Sequence, residues 1–170
     1  MDMSPVRSLR LAALFAIVAI GGCASAPPLP PPPTQLPPDD YLIVPGTRIG
    51  PVAIGMTSEQ VLQVKGSPDK GSTRSMYNYH DDYRVIVDDK TQQVLRVDTR
   101  SVWYSTAEGV KPGQSELDMR AKMGTPDSSS NVGTEELPTY LYCYDRGLAV
   151  YIFQGKIYNL SVFLPGGVCK

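Results

Sequence analysis

Residues 55–68 read GMTSEQVLQVKGSP, and residues 113–126 read GQSELDMRAKMGTP. The second stretch follows the first by 58 positions throughout: Gly55 and Gly66 match Gly113 and Gly124, and Pro68 matches Pro126. Each stretch carries its own helix punctuation. Thr57 with Gln60, and Ser115 with Asp118, have the three-residue spacing of a capping pair at a helix start. Glu59 and Asp118 suit the positive end of the helix dipole, Lys65 and Lys122 the negative end. Gly66 and Gly124 are placed for a left-handed C-terminal cap, and the proline two residues later stops propagation. Val61, Leu62 and Val64, and then Leu117, Ala121 and Met123, supply an apolar stripe. Helices of about nine residues do not persist alone in water, so each needs a sheet to lie on.

The sheet is written behind each helix. Tyr77 and Tyr79 match Tyr140 and Tyr142 at an offset of 63; Arg84–Val87 and Val94–Ser101 match 147–150 and 157–164 at the same offset. Strands are predicted near 75–80, 83–88 and 93–101, and again near 139–144, 148–153 and 157–164, separated by short polar turns. The expected fold class is therefore α+β, with two tandem helix–three-strand antiparallel units over 41–104 and 105–170. Alternation places Tyr77, Tyr79, Val85, Val87, Leu95 and Val97 on the core side of the first unit. Asn78, His80, Arg84, Arg96, Asp98 and Arg100 fall on the other, wet side. In the second unit Tyr140, Tyr142, Leu148, Val150, Leu160 and Val162 take the core side. The opposite side of that unit is apolar, with Leu141, Cys143, Ala149, Tyr151, Phe153 and Phe163. Either the rest of the chain covers it or it binds a protein; Leu141, Tyr151, Phe153 and Phe163 are the binding candidates.

Toward the N-terminus the pattern changes twice. Residues 1–22 read as an export signal, with Arg7 and Arg10 ahead of an apolar run from Leu11 to Ile20. Ten residues make about 15 Å of helix, too short for a hydrocarbon core of about 30 Å. Ile20-Gly21-Gly22-Cys23 resembles the lipobox of bacterial lipoproteins. The resemblance implies cleavage before Cys23, acylation of its thiol and amino group with chains such as palmitate, and a membrane partner held through those chains. Ala24 and Ser25 follow without an aspartate, which by resemblance to the lipoprotein sorting rule implies the outer membrane, on its periplasmic face. Residues 23–40 then hold the acylated cysteine and a proline-rich tether. Within it, PPLPPPPTQLPP at 27–38 contains eight of the chain's 16 prolines. Proline fixes φ and removes a donor, so this run is expected to be an extended spacer of up to about 37 Å; a PxxP ligand is the other reading.

Composition narrows the chemistry. Lysine plus arginine number 16 against 17 acidic residues, which does not fit a dedicated nucleic-acid binder. One histidine and three cysteines leave no Cys/His zinc module and little room for histidine acid–base work. His80-Asp81-Asp82 sits at a hairpin where acidic residues are ordinary, and Asp88-Asp89-Lys90 lacks a calcium loop's spacing. No catalytic residue, metal site or cofactor is expected. With Cys23 acylated, Cys143 and Cys169 are left as a pair in an oxidising compartment. The first and third strands of a meander run parallel, so the 165–169 tail can return across the sheet to Cys143. A bridge spanning 26 positions is worth roughly 3 kcal/mol on the chain-entropy picture.

Gly55-Met56-Thr57-x-x-Gln60-Val61, Gly66-x-Pro68, Tyr77-x-Tyr79 and Val94-Leu95-x-Val97 together resemble the SmpA/OmlA (BamE) family of small outer-membrane lipoproteins. That family implies a helix-then-three-strand α+β fold and an accessory role in outer-membrane protein assembly. The tandem arrangement is similar in plan to the β-lactamase inhibitor protein family, with two related units. The expected function is a non-catalytic, lipid-anchored periplasmic scaffold or protein-binding module with an envelope protein partner. The alternative is a binder or inhibitor of a secreted or envelope enzyme.

Overall fold

Thr57 opens the first helix by the means its sequence announces. Its hydroxyl accepts from the Gln60 backbone N–H, and the Gln60 side chain accepts from the Thr57 N–H, closing a capping box. Ser115 caps the second helix through the Asp118 N–H. The computed structural model describes Pro27–Gly167 and Cys169; the expected export signal of 1–22 and the expected acylation site at Cys23 lie outside the described residues.

Thirteen elements follow in order: β1 (Leu42–Val44), β2 (Arg48–Ile49), β3 (Val52–Ala53), α1 (Ser58–Lys65), β4 (Met76–Tyr79), β5 (Tyr83–Val87), β6 (Val94–Thr99), β7 (Ser105–Thr106), α2 (Glu116–Met123), β8 (Ser128–Asn131), β9 (Thr139–Tyr144), β10 (Leu148–Phe153) and β11 (Lys156–Phe163). They form two sheets. One has four short strands in the order β3-β2-β1-β7, and the other has seven in the order β4-β5-β6-β11-β10-β9-β8.

This arrangement overturns the expected fold class. The chain is mostly β, not a pair of tandem helix–three-strand α+β units. Strands β6 and β11 pair edge to edge, with Val97 opposite Val162 and Asp98 opposite Ser161, so both sets of strands belong to one continuous sheet. Edge strands left open recruit a neighbour, and here the neighbour is the other half of the chain. Residues 42–53 and 105–106, where no strand was expected, make a second sheet, closed by parallel pairing of Ile43 with Thr106. The helices contribute eight residues each.

A single large core lies between the small sheet, the helices and one face of the large sheet. Ile49, Val52, Met56, Val61, Val85, Val97, Met119, Leu148, Val150, Leu160 and Val162 are all fully buried within it. Tyr83 ties the two sheets together: it is almost fully buried, and its hydroxyl donates to the Ile49 carbonyl of β2. Burial pushes its phenol far above the ordinary tyrosine value.

Two bulges correct the expected faces. Ile86 pairs with Arg96 but Val87 pairs with Val94, so Leu95 is the extra residue and turns outward. Val94 takes the core position assigned to Leu95, which is 37% exposed. In β11, Tyr151 pairs with Asn159 and Ile152 with Ile157, which makes Tyr158 the extra residue. Tyr140, also expected in the core, is exposed next to the outer strand β8.

Candidate functional site

The face of the large sheet turned away from the helices carries the residues with chemistry. Its middle, around β5, β6 and β11, holds an open pocket of about 300 Å³ lined by Arg84, Arg96, Arg100, Asp98, Tyr151 and Tyr158, with Asn78, Asp82 and Asn159 at its margins. Strand alternation delivers Arg84 and Asp98 as direct cross-strand partners, with Ser161 next in the same row. The bulge delivers Tyr158.

The arginines are held in place. Arg100 donates through Nη1 to the Tyr158 hydroxyl (2.7 Å) and through Nη2 to Asp82 Oδ1 (2.8 Å). Arg84 donates through Nε to Asn78 Oδ1 at 2.9 Å. Arg96 lies over Asp98, with Nε 3.0 Å from Oδ1 and Nη2 3.2 Å from Oδ2. The Asp98 side chain is only 8% exposed, contrary to its expected place on a wet face. Its burial follows from the row it occupies, between Arg84 and Ser161 and beneath Arg96. Burial raises the Tyr151 phenol above its usual range. The pocket thus presents planar guanidinium groups held by Asp82, Asp98 and Asn78, beside the phenol rings of Tyr151 and Tyr158. That combination takes carboxylates and extended polar chains by forked hydrogen bonds and ring contact.

Beside the pocket, sharing Arg96 as a wall, runs an apolar groove of about 310 Å³ lined by Pro27, Leu29, Ile86, Leu95, Phe163 and Leu164. The far side of the same face is covered by the chain itself. Cys143 and Cys169 form a disulfide with their Cα atoms 6.0 Å apart. The bridge pins the tail over a small second cluster of Leu141, Cys143, Ala149 and Phe163.

The four protein-binding candidates are therefore divided. Leu141 and Phe163 are buried, at 2% and 8% exposure. Tyr151 is half-buried in the pocket wall, and Phe153 is half-buried with its ring edge-on to Tyr158 at 6.4 Å. Alternation alone could place Arg84, Arg96 and Arg100 on one face but gave no reason to single them out. The local sign that Tyr158 differs from its neighbours is its equivalence to Leu95 in the 63-residue offset, both being bulged. His80 lies outside the pocket, with an 89% exposed side chain 3.9 Å from Asp69. Asp88 accepts from the Lys90 and Thr91 N–H groups, which lower its carboxyl pKa and make it a turn cap. Among the described residues no group of three or more His, Cys, Asp or Glu side chains is placed to hold a metal ion. No helix there is long and apolar enough to cross a membrane.

No protein-family model matches the chain, and no curated protein does. Two solved structures are similar over part of it. A DUF4309 family protein (YjgB) of Bacillus subtilis shares 12% identity at a TM-score of 0.46, over 64% of this chain and 78% of that one. An extracellular protein containing an SCP domain, from Bacillus anthracis, shares 11% identity at a TM-score of 0.44, over 66% of this chain and 44% of its own. At these scores neither likeness carries a functional argument. The SmpA/OmlA (BamE) resemblance is overturned by the fold. The chain matches no such family, and its continuous seven-stranded sheet with a second sheet beside it is not that helix-and-three-strand unit. The motifs behind the resemblance were mostly glycine, proline and capping positions, which mark helix ends in any fold.

Proposed function

We propose that this chain is a lipid-anchored, non-catalytic binding module of the cell envelope, and that it engages an envelope protein through the arginine–tyrosine pocket. One observation carries the reading. The chain covers the apolar far side of its sheet face with its own disulfide-pinned tail, yet leaves the guanidinium and phenol groups of the middle open to solvent. A face meant only for packing would be closed throughout, whereas residues of these types are enriched where proteins meet.

The location rests on sequence and on the bridge. Arg7 and Arg10 before the apolar run, and Ile20-Gly21-Gly22-Cys23 after it, support export and acylation at Cys23. A disulfide supports an oxidising compartment. The absence of an aspartate after Cys23 favours the outer membrane as the final address. A non-catalytic role is supported by the exposed position of the lone histidine and by the arginines' engagement with neighbouring side chains. The partner surface expected is an acidic, extended segment that satisfies Arg84 and Arg100 together.

The test places a photo-crosslinking residue at Tyr158, and separately at the exposed Leu137, in the full-length protein within its host's envelope. A discrete protein adduct at position 158 that Arg84→Glu removes supports the reading. Equal, diffuse labelling at both positions overturns it.

A further inference from the structure

The proline segment does not stand away from the domain. From Pro27 to Pro38 it lies along it as a strap. Leu29 and Leu36 pack against the main core. The Pro33 carbonyl accepts from Gln60 Nε2 at 2.9 Å, and the Pro38 carbonyl accepts from Arg48 Nη1 at 3.4 Å. Pro30 crosses directly over Gly55, where a Cβ would come within 2.7 Å of the Pro30 carbonyl oxygen. The strap begins at the apolar groove: Pro27 and Leu29 form one of its walls, and Phe163, Leu164 and Gly167 of the opposite chain end form another.

This placement fixes a distance. Cys23 is four residues before Pro27, and four residues span at most about 14 Å when fully extended. An acylated Cys23 lies at the lipid–water interface, because its chains lie in the hydrocarbon. The groove is therefore held within that reach of the lipid, and a docked strap cannot lift it away as a free spacer of the same length would. Apart from Arg96 the groove's rim is apolar, with Leu95 turned outward by the bulge in β6 and Ile86 half-buried beside it.

We propose that this groove is the surface by which the domain rests on the phospholipid membrane, with Leu95, Ile86 and Leu164 entering the interfacial layer. The strap thereby presents the neighbouring arginine–tyrosine pocket at a set height and angle. The inference rests on the reading of Cys23 as acylated, and goes beyond it by assigning a second, orienting contact.

The chain provides its own control. Its one tryptophan, Trp103, is 75% exposed and lies beyond the opposite end of β6 from Leu95. The full-length acylated protein is reconstituted in phosphatidylethanolamine–phosphatidylglycerol vesicles with and without brominated acyl chains. Indole quenching is compared between the unaltered protein and Leu95→Trp in a Trp103→Phe background, with Ile86→Trp as the second probe should the first variant not fold. Mass analysis of the N-terminal peptide from the same sample reports acylation. At least twofold greater quenching of the introduced indole than of Trp103 supports the proposal. Acylated protein in which both indoles are quenched equally overturns the proposal and leaves the anchor reading standing. Unacylated Cys23 overturns the anchor reading and this inference with it.

Discussion

Pro30 lies across Gly55 so closely that a single added carbon at position 55 would meet its carbonyl oxygen at 2.7 Å and its Cγ at 2.9 Å. Gly55 also has φ of +84°, a region that side chains rarely adopt. The Gly55→Ala change combines both penalties and is expected to destabilise the fold by about 2 kcal/mol. Gly66→Ala isolates the backbone part, since φ there is +75° and nothing lies within 4 Å of the added Cβ. The expected cost of that change is about 1 kcal/mol. Urea unfolding of both variants checks the difference. Faster thermolysin cleavage beside Leu36 in the Gly55 variant alone shows that the strap has lifted.

Removal of the tail clamp is the second prediction. Cys143 and Cys169 are 26 positions apart. The Cys143→Ser, Cys169→Ser protein is expected to lose about 3 kcal/mol on the chain-entropy picture. It is also expected to expose Leu141 and Phe163. A rise in apolar dye binding below the unfolding temperature, matched by reductant on the unaltered protein, is the measurement. An unchanged melting temperature would mean that the tail is held by packing alone.

Tyr83→Phe probes the link between the two sheets. The hydroxyl lost is a buried donor to the Ile49 carbonyl, so the expected cost is about 1–2 kcal/mol. The ring contact with Lys65, whose Nζ lies 4.4 Å from the ring centroid and 2.7 Å from Asp81 Oδ2, is retained. In an alkaline titration of the unaltered protein the Tyr83 phenol should not ionise until the fold opens, because burial holds it far above its usual value, and Tyr104 and Tyr79, also raised by burial, should lag behind the exposed tyrosines.

The strap's end is tied by a forked ion pair. Arg48 donates through Nη1 to Asp40 Oδ1 at 2.7 Å and through Nη2 to Oδ2 at 2.8 Å. This partner holds the Asp40 carboxyl at about 2. A depressed carboxylate stabilises the folded state above the unfolded value of about 3.9, and that contribution is lost as pH falls from about 4 toward 2. The Asp40 side chain is 38% exposed, so the effect is that of a surface pair, at most about 1 kcal/mol. Asp40→Asn should flatten this part of the stability profile relative to the unaltered protein. A parallel slope in both proteins between pH 4 and 2 would sink the assignment.

The sequence speaks clearly about elements and poorly about their arrangement. Helix ends are chemical: Thr57, Gln60 and Ser115 make the bonds their spacing implies, and α1 and α2 begin where those residues stand. The hairpin strands of the large sheet follow from period-two alternation between polar turns. Alternation fails where a bulge inserts a residue, and so Leu95 and Val94 exchange sides. It says nothing about which strands become neighbours. The β6–β11 pairing joins segments more than sixty residues apart, and no local pattern in either encodes it. The three strands within 42–53 are two or three residues long, too short for any period to register. The pocket was half legible. Its arginines lay on one predicted face, but Tyr158 reached them by the bulge and Asp98 lost its water to its neighbours.

The β6–β11 seam also sets a schedule. A polypeptide made from its N-terminus onward can close the small sheet only after Thr106 has emerged, and the large sheet only after residue 163. Until then β6 has one edge without a neighbour and Val97 has no Val162 opposite it. Long-range strand pairings of this kind form slowly. Until residue 163 has been made, the large sheet therefore lacks its central pairing, and the two halves of the face that carries Arg84, Asp98 and Ser161 are not yet joined.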